Sequence, residues 1–195
     1  FLETVRLAHP DYHAAPVAPF GKSGARVLIV GLAPGMHGAN ATGRPFTGDH
    51  AGILLFETLY KHGFCNQPRG DCANDGLRLI DCRITNAVKC LPPANKPTPA
   101  EITACNPYLL ADLEGLPRAG VIVALGRIAH NAIVKALGKR QAEFPFAHAA
   151  CHELDHNQRL VDSYHCSRYN TQTKRLTGAM FSDIFAEAKR LMVCA

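Results

Sequence analysis

Apolar positions along the chain follow two rhythms. Val27-Leu28-Ile29-Val30 ending at Gly31, and Ala119 to Leu125 ending at Gly126, are short unbroken runs that predict strands buried on both faces. Asp81 to Val88 and Arg159 to Tyr164 predict two more strands. Between them the apolar residues recur at helical spacing. Leu54, Leu55 and Leu59 share a stripe over Ala51 to Tyr60, Arg127 to Leu137 reads as a helix, and Thr177 to Met192 places Met180, Phe181, Ile184, Phe185 and Leu191 mostly on one side. Thr98-Pro99-Ala100-Glu101 is a helix start, because the Thr hydroxyl caps the first turn, Pro fits the first position and Glu bonds back to the cap. Asn106-Pro107 is expected to kink or interrupt that helix before Tyr108 to Leu113 continues it. Phe1 to Arg6 reads as the end of an amphipathic helix, and His9 to Pro19 as a surface lead-in.

Four strands alternating with helices predict one α/β domain over residues 1–195. Its expected core is a short, mainly parallel four-stranded sheet flanked by helices on both faces, with ligands at the carboxyl ends of the strands. The composition agrees. With 195 residues, 47% of them hydrophobic and 19% charged, the chain is long enough to bury roughly 70% of its unfolded surface without a disulfide framework. No apolar stretch approaches the roughly 20 residues of a membrane-spanning helix. The net charge of +5, with ten histidines besides, tolerates an anionic partner without requiring one. Eight cysteines at irregular spacing, with no secretory leader before them, point to a reducing cytoplasmic compartment and to buried thiols or metal ligands rather than disulfides.

Three polar segments lie at predicted strand ends: the loop from Gly31 to Asp49, Asn86, and His165. The loop fails the phosphate-binding motifs, since Ala33 stands where a dinucleotide fingerprint needs glycine and no Gly-Lys-Ser/Thr closes it. Followed by Ala51-Gly52, it resembles instead the first signature of the uracil-DNA glycosylase superfamily, in particular its UDGb branch (family five). His165-Cys166-Ser167-Arg168-Tyr169-Asn170-Thr171-Gln172-Thr173 with Arg175-Leu176-Thr177 is similar to the second signature, and Ile84-Thr85-Asn86-Ala87-Val88-Lys89-Cys90 to the segment between them. The likeness covers most of Val27 to Leu191. Cys166 departs from the usual proline or valine, and Lys174 and Ala41 stand where glycine and arginine are expected.

The resemblance implies an α/β sandwich acting as a monomeric hydrolase on DNA, in the cytoplasm at the nucleoid. It would remove uracil, with hypoxanthine and xanthine as further candidate bases, and leave an abasic site. It also implies a 4Fe-4S cluster held by four cysteines. Cys90 and Cys105 stand at two of the ligand positions, and the other pair is expected upstream of Phe1.

Hydrolysing an N-glycosidic bond requires stabilising a cationic sugar and an anionic leaving base, and placing a water on the sugar's far face. Asp49 suits the sugar and the water, although an aspartate here would equally cap the helix beginning near Ala51. His165 can donate to the departing base and Asn86 can pair with its Watson–Crick edge. Phe46 would stack on the base or simply fill core, and the resemblance places Gly31, His37 and Asn40 near the base, sugar and water. Ser167, Arg168, Tyr169 and Asn170 would hold the strand around the gap, with Lys174 and Arg175 extending a basic edge or forming a solvated face. Two other classes compete: a non-catalytic nucleic-acid-binding module of the same fold, and a metal-dependent phosphoesterase using His37, Asp49, His50 and His165 as ligands.

Overall fold

Residues 1–193 are described in the structure, a computed structural model. Strands β1 (Val27–Gly31), β2 (Cys82–Asn86), β3 (Val121–Leu125), β4 (Cys151–Glu153) and β5 (Arg159–Ser163) form one sheet in the order β2-β1-β3-β5-β4. The β1–β2, β1–β3 and β3–β5 pairs are parallel, and β4 is antiparallel to β5.

The expectation of four strands is corrected to five. The additional strand has three residues on the sheet edge, two of them exposed, and so carries no apolar run to betray it. The other four fall where the apolar runs predicted.

Alternate residues of a strand face opposite sides, which explains why β1 and β3 are apolar throughout. Val27, Ile29, Val123 and Val161 pack against Leu55, Phe56 and Leu59 of α3 (His50–Lys61) and Phe181 and Phe185 of α7 (Gly178–Val193). Leu28, Val30, Ile122, Ala124 and Leu160 pack against Leu109 and Leu113 of α4 (Pro99–Glu114) and Ala129 and Ile133 of α5 (Arg127–Ala136). Each face of the sheet thus has its own apolar layer.

Thr98 and Glu101 complete the predicted capping box of α4. The predicted interruption at Asn106-Pro107 does not occur, and α4 runs through Pro107. Burial of Leu109 and Leu113 against α5 offsets the missing donor, and Asn106 Nδ2 donates to the Ala132 carbonyl at 2.9 Å, tying the two helices together at that point. Near the start of the chain α1 (Leu2–Ala8) packs Val5 and Leu2 against Leu91, and the single turn α2 (Ala39–Thr42) lies in the loop after β1. Among the described residues no helix is long and apolar enough to cross a membrane.

The parallel register sets Gly31 beside Asn86 and Leu125 beside Ser163. Four strand ends therefore stop at one edge of the sheet, and the polar segments after them meet there.

Candidate active site

The loop after β1 is pinned from below. Arg44, almost wholly buried, donates to both carboxylate oxygens of Asp75 at 2.7 and 2.8 Å and to Thr47 Oγ1 at 2.7 Å. This guanidinium holds the Asp75 carboxyl well below the usual carboxylate range. Phe46 follows with a φ of 56°, a left-handed conformation unusual for an aromatic residue, and its buried ring turns toward Gly31. Gly31 has no room for a side chain: a Cβ there would meet Asn86 Oδ1 and lie 2.6 Å from Phe46 Cζ. A Cβ on Gly52 would strike the Phe46 carbonyl oxygen, so the first turn of α3 packs directly on this strained residue.

Asp49 is the N-cap of α3, accepting from the Gly52 N–H at 2.8 Å through Oδ1. Both sequence-based roles of this residue are therefore sterically compatible, because one oxygen caps the helix while Oδ2 is turned toward the Gly35–Gly38 backbone. Burial pushes the Asp49 carboxyl above its ordinary value, against the lowering effect of backbone N–H donors from Gly52 and Ala51 and the charge of His50.

A cavity of about 520 Å³ opens at the sheet edge, lined by Leu32 to Gly35, Phe46, Asp49, Asn86, Tyr164, His165 and Asn170, among others. Asp49, Asn86 and His165 arrive from three different strand ends. The side chain of Asn86 and the ring nitrogens of His165 make no hydrogen bond to protein among the described residues, although Asn86 is only 4% exposed. Their polar atoms are available to whatever fills the cavity. The Asn170 Nδ2 donates to the His165 carbonyl at 2.8 Å, fixing the backbone that carries the imidazole. The Phe46 and His165 rings lie 6.2 Å apart at 26°. Cys166, wholly buried beneath, keeps a protonated thiol because burial raises its pKa.

Burial lowers the His165 pKa to about 4, so the ring is neutral at pH 7 and retains one N–H to donate. The stability this group contributes is complete above its unfolded pKa of about 6.5 and is lost as the pH falls toward its folded value. Between pH 7.5 and 5 the wild type is expected to lose up to roughly 2 kcal/mol more stability than His165→Gln, less where solvent reaches the ring. Urea melts at the two pH values measure this, and equal losses would refute a desolvated neutral histidine.

His37 and Asn40 stand outside the cavity lining. His37 is turned outward to the Tyr12 hydroxyl at 2.8 Å, and Asn40 is buried inside its turn, where it donates to the Met36 carbonyl. Asn40 Oδ1 has no partner in the protein. Ser167 Oγ caps α6 (Arg168–Gln172) through the Asn170 N–H at 3.4 Å, and Arg168 and Tyr169 project from that helix into solvent. Lys174 adopts a φ of 57°, the left-handed conformation that explains why glycine is expected there. Arg175 lines the cavity and rests on the Tyr164 ring.

The phosphoesterase ligand set does not gather: among the described residues the one His/Cys/Asp/Glu group close enough to hold a metal is His130, His152 and Asp162, outside the cavity. Cys90 and Cys105 are neighbours, each half-buried, and a charge on Cys105 would raise the Cys90 pKa. The Lys89 N–H reaches Cys105 Sγ at 3.5 Å. Cys65 and Cys82 are buried, Cys72 and Cys151 are exposed, and Cys194 lies outside the described residues.

Sequence reasoning missed Asn95, Arg127, Ile128, Phe146 and Tyr164 in the lining. Gly126 at the end of β3 was the available signal for Arg127 and Ile128, since the strand-end rule applies to every parallel strand. Phe146 sits in an irregular segment with no periodicity to mark it.

Residues 18–189 match the sequence model of the Uracil DNA glycosylase superfamily. The chain is 48% identical over 180 residues to a type-5 uracil-DNA glycosylase of Thermus thermophilus, covering 92% of this chain and 82% of that one. It is 44% identical over 187 residues to the type-5 enzyme of Mycobacterium tuberculosis, covering 95% and 70%. A type-4 uracil-DNA glycosylase of Archaeoglobus fulgidus is 43% identical over a shorter stretch of 110 residues, 56% of this chain and 47% of that one.

Proposed function

The chain belongs to the uracil-DNA glycosylase superfamily, and from that premise we propose that it hydrolyses the N-glycosidic bond of deoxyuridine in DNA as a base-excision repair enzyme. The observation that carries this reading is the convergence of Asp49, Asn86 and His165 on one cavity, with the amide and imidazole atoms left unpartnered. The Asn86 amide pairs with the O4 and N3–H edge of an extruded uracil. As the C1′–N1 bond breaks, its electron pair goes to the base, and the His165 N–H stabilises the charge on a carbonyl oxygen. Ionised Asp49 faces the positive charge growing on the sugar and orients the water whose oxygen bonds to C1′, with the water's proton passing to the carboxylate or solvent. Hypoxanthine and xanthine present the same carbonyl and ring N–H to Asn86, and the reading extends to them.

Ser167 to Asn170 with Lys174 and Arg175 would hold the strand, and the three central groups come from one chain, which supports action as a monomer on chromosomal DNA. A duplex with one uracil opposite guanine, incubated with chelator present and then treated with alkali, should be cleaved at the uracil. Persistence of intact strand would favour the binding-module reading.

The fit of the Cys90 and Cys105 thiols to two of the four ligand positions of a 4Fe-4S cluster rests on their adjacency and soft donor chemistry. When bound, the group would tie the segment after β2 to α4, with the two remaining thiolates coming from outside residues 1–195. Anaerobically purified full-length protein should contain iron and sulfide in equal amounts and lose both in Cys105→Ser, whereas absence of either element from the unmutated protein would end the idea.

A further inference from the structure

The chain carries thirteen arginines, and most are committed to protein partners. Arg26, Arg44, Arg140, Arg159 and Arg190 pair with carboxylates, and Arg6, Arg83 and Arg118 with carbonyls or a ring nitrogen. Arg127 and Arg175 make no hydrogen bond or ion pair among the described residues, yet each lies on an aromatic face. The Arg127 guanidinium is 5.5 Å from the Phe146 centroid, Arg175 is 4.7 Å from that of Tyr164, and the two rings are 6.3 Å apart.

This shelf is braced from behind. His148 stacks on Tyr164 at 4.9 Å and accepts its backbone N–H. His130, wholly buried between Asp162 Oδ1 at 2.7 Å and the Phe144 carbonyl at 2.8 Å, meets Phe146 edge-on. Both arginines and both rings line the cavity that holds Asp49, Asn86 and His165.

We propose that Arg127 and Arg175 form a two-guanidinium seat for a phosphodiester of the lesion-bearing strand, with Phe146 and Tyr164 as the shelf that fixes their spacing. The identity of the ligand rests on the glycosylase reading. A planar guanidinium fork matches phosphate oxygens, and one already seated on a ring loses less freedom when the anion arrives. A nucleotide whose base fills the cavity carries a phosphate on each side, so one of them reaches the rim. The adjoining cavity also holds two unpaired arginines, Arg69 and Arg168, but Asp71 and Asp49 balance their charge there.

The test is fluorescence anisotropy with single-stranded and duplex oligonucleotides carrying a non-hydrolysable 2′-fluoro deoxyuridine, titrated over a range of salt. Arg127→Ala and Arg127→Gln should each weaken binding five- to twentyfold at low salt and reduce the slope of log affinity against log salt by about 0.7 to 0.9. Arg78→Ala, which removes an arginine that is also unpaired but lies outside the cavity, should change neither. A neutral methylphosphonate at one of the two flanking phosphates should weaken the wild type more than the Arg127 variants, which keep only the Arg175 contact to lose. An unchanged slope in folded Arg127 variants overturns the seat, as do methylphosphonate penalties equal in wild type and variant at both positions. Because binding is read without excision, tight salt-dependent binding of this probe by a protein that releases no uracil from the ordinary deoxyuridine duplex would overturn the glycosylase reading and leave the seat standing.

Discussion

Asp49→Asn is expected to lower uracil excision by about 10² to 10⁴-fold while leaving thermal stability within about 0.5 kcal/mol of the wild type. Asparagine accepts the Gly52 N–H as well as aspartate does, so the start of α3 survives. The amide cannot bear a negative charge toward the sugar or take a proton from water. This substitution separates the two jobs of one carboxylate, which Asp49→Ala would confound by removing the cap as well. The pH dependence carries the same signature: excision should fall as the pH drops through the raised Asp49 pKa, at a pH above the ordinary carboxylate value. Single-turnover rates of the asparagine variant within tenfold of the wild type would remove Asp49 from the chemistry and leave it as a helix cap.

The second large effect is expected from Gly31→Ala. The φ at Gly31 is ordinary, so the backbone tolerates alanine. The added methyl instead collides with Asn86 Oδ1 and the Phe46 ring. Phe46 is held in a left-handed conformation and packed against α3, so it cannot retreat cheaply, and Asn86 must move. The cost in stability should be about 1 to 3 kcal/mol, as for other overpacked cores. The cost in kcat/KM should be about 10²-fold, because displacement of a base-reading group by an ångström has effects of that size. Steady-state kinetics on the folded variant decide it, and a kcat/KM within threefold of wild type would mean that Asn86 does not read the base.

Much of this was legible in the sequence, for physical reasons that differ by element. The unbroken apolar runs of β1 and β3 could only belong to strands covered on both faces, and the Thr98 and Glu101 box announced α4 by local hydrogen bonding alone. Asp49, Asn86 and His165 followed from the strand-end rule together with the resemblance. What stayed hidden depends on long-range packing. The edge strand β4 exists because β5 offers it hydrogen bonds, Pro107 is accepted because α5 supports the helix, and Phe146 enters the lining through its contacts with Tyr164 and His130. His37 and Asn40 stand outside the cavity lining for a related reason. Their loop positions are local, but the direction of their side chains is set by Tyr12 and by the turn at Met36.

The strand order has a consequence for how the protein is made. Because β5 sits between β3 and β4, a chain emerging from the ribosome exposes one edge of the apolar strand β3 until residues beyond Arg159 are synthesised. His165 arrives only a few residues after that edge is covered. Closure of the sheet and delivery of the imidazole are therefore nearly the same event in time, and a chain stalled before it presents an adhesive strand edge and an incomplete site.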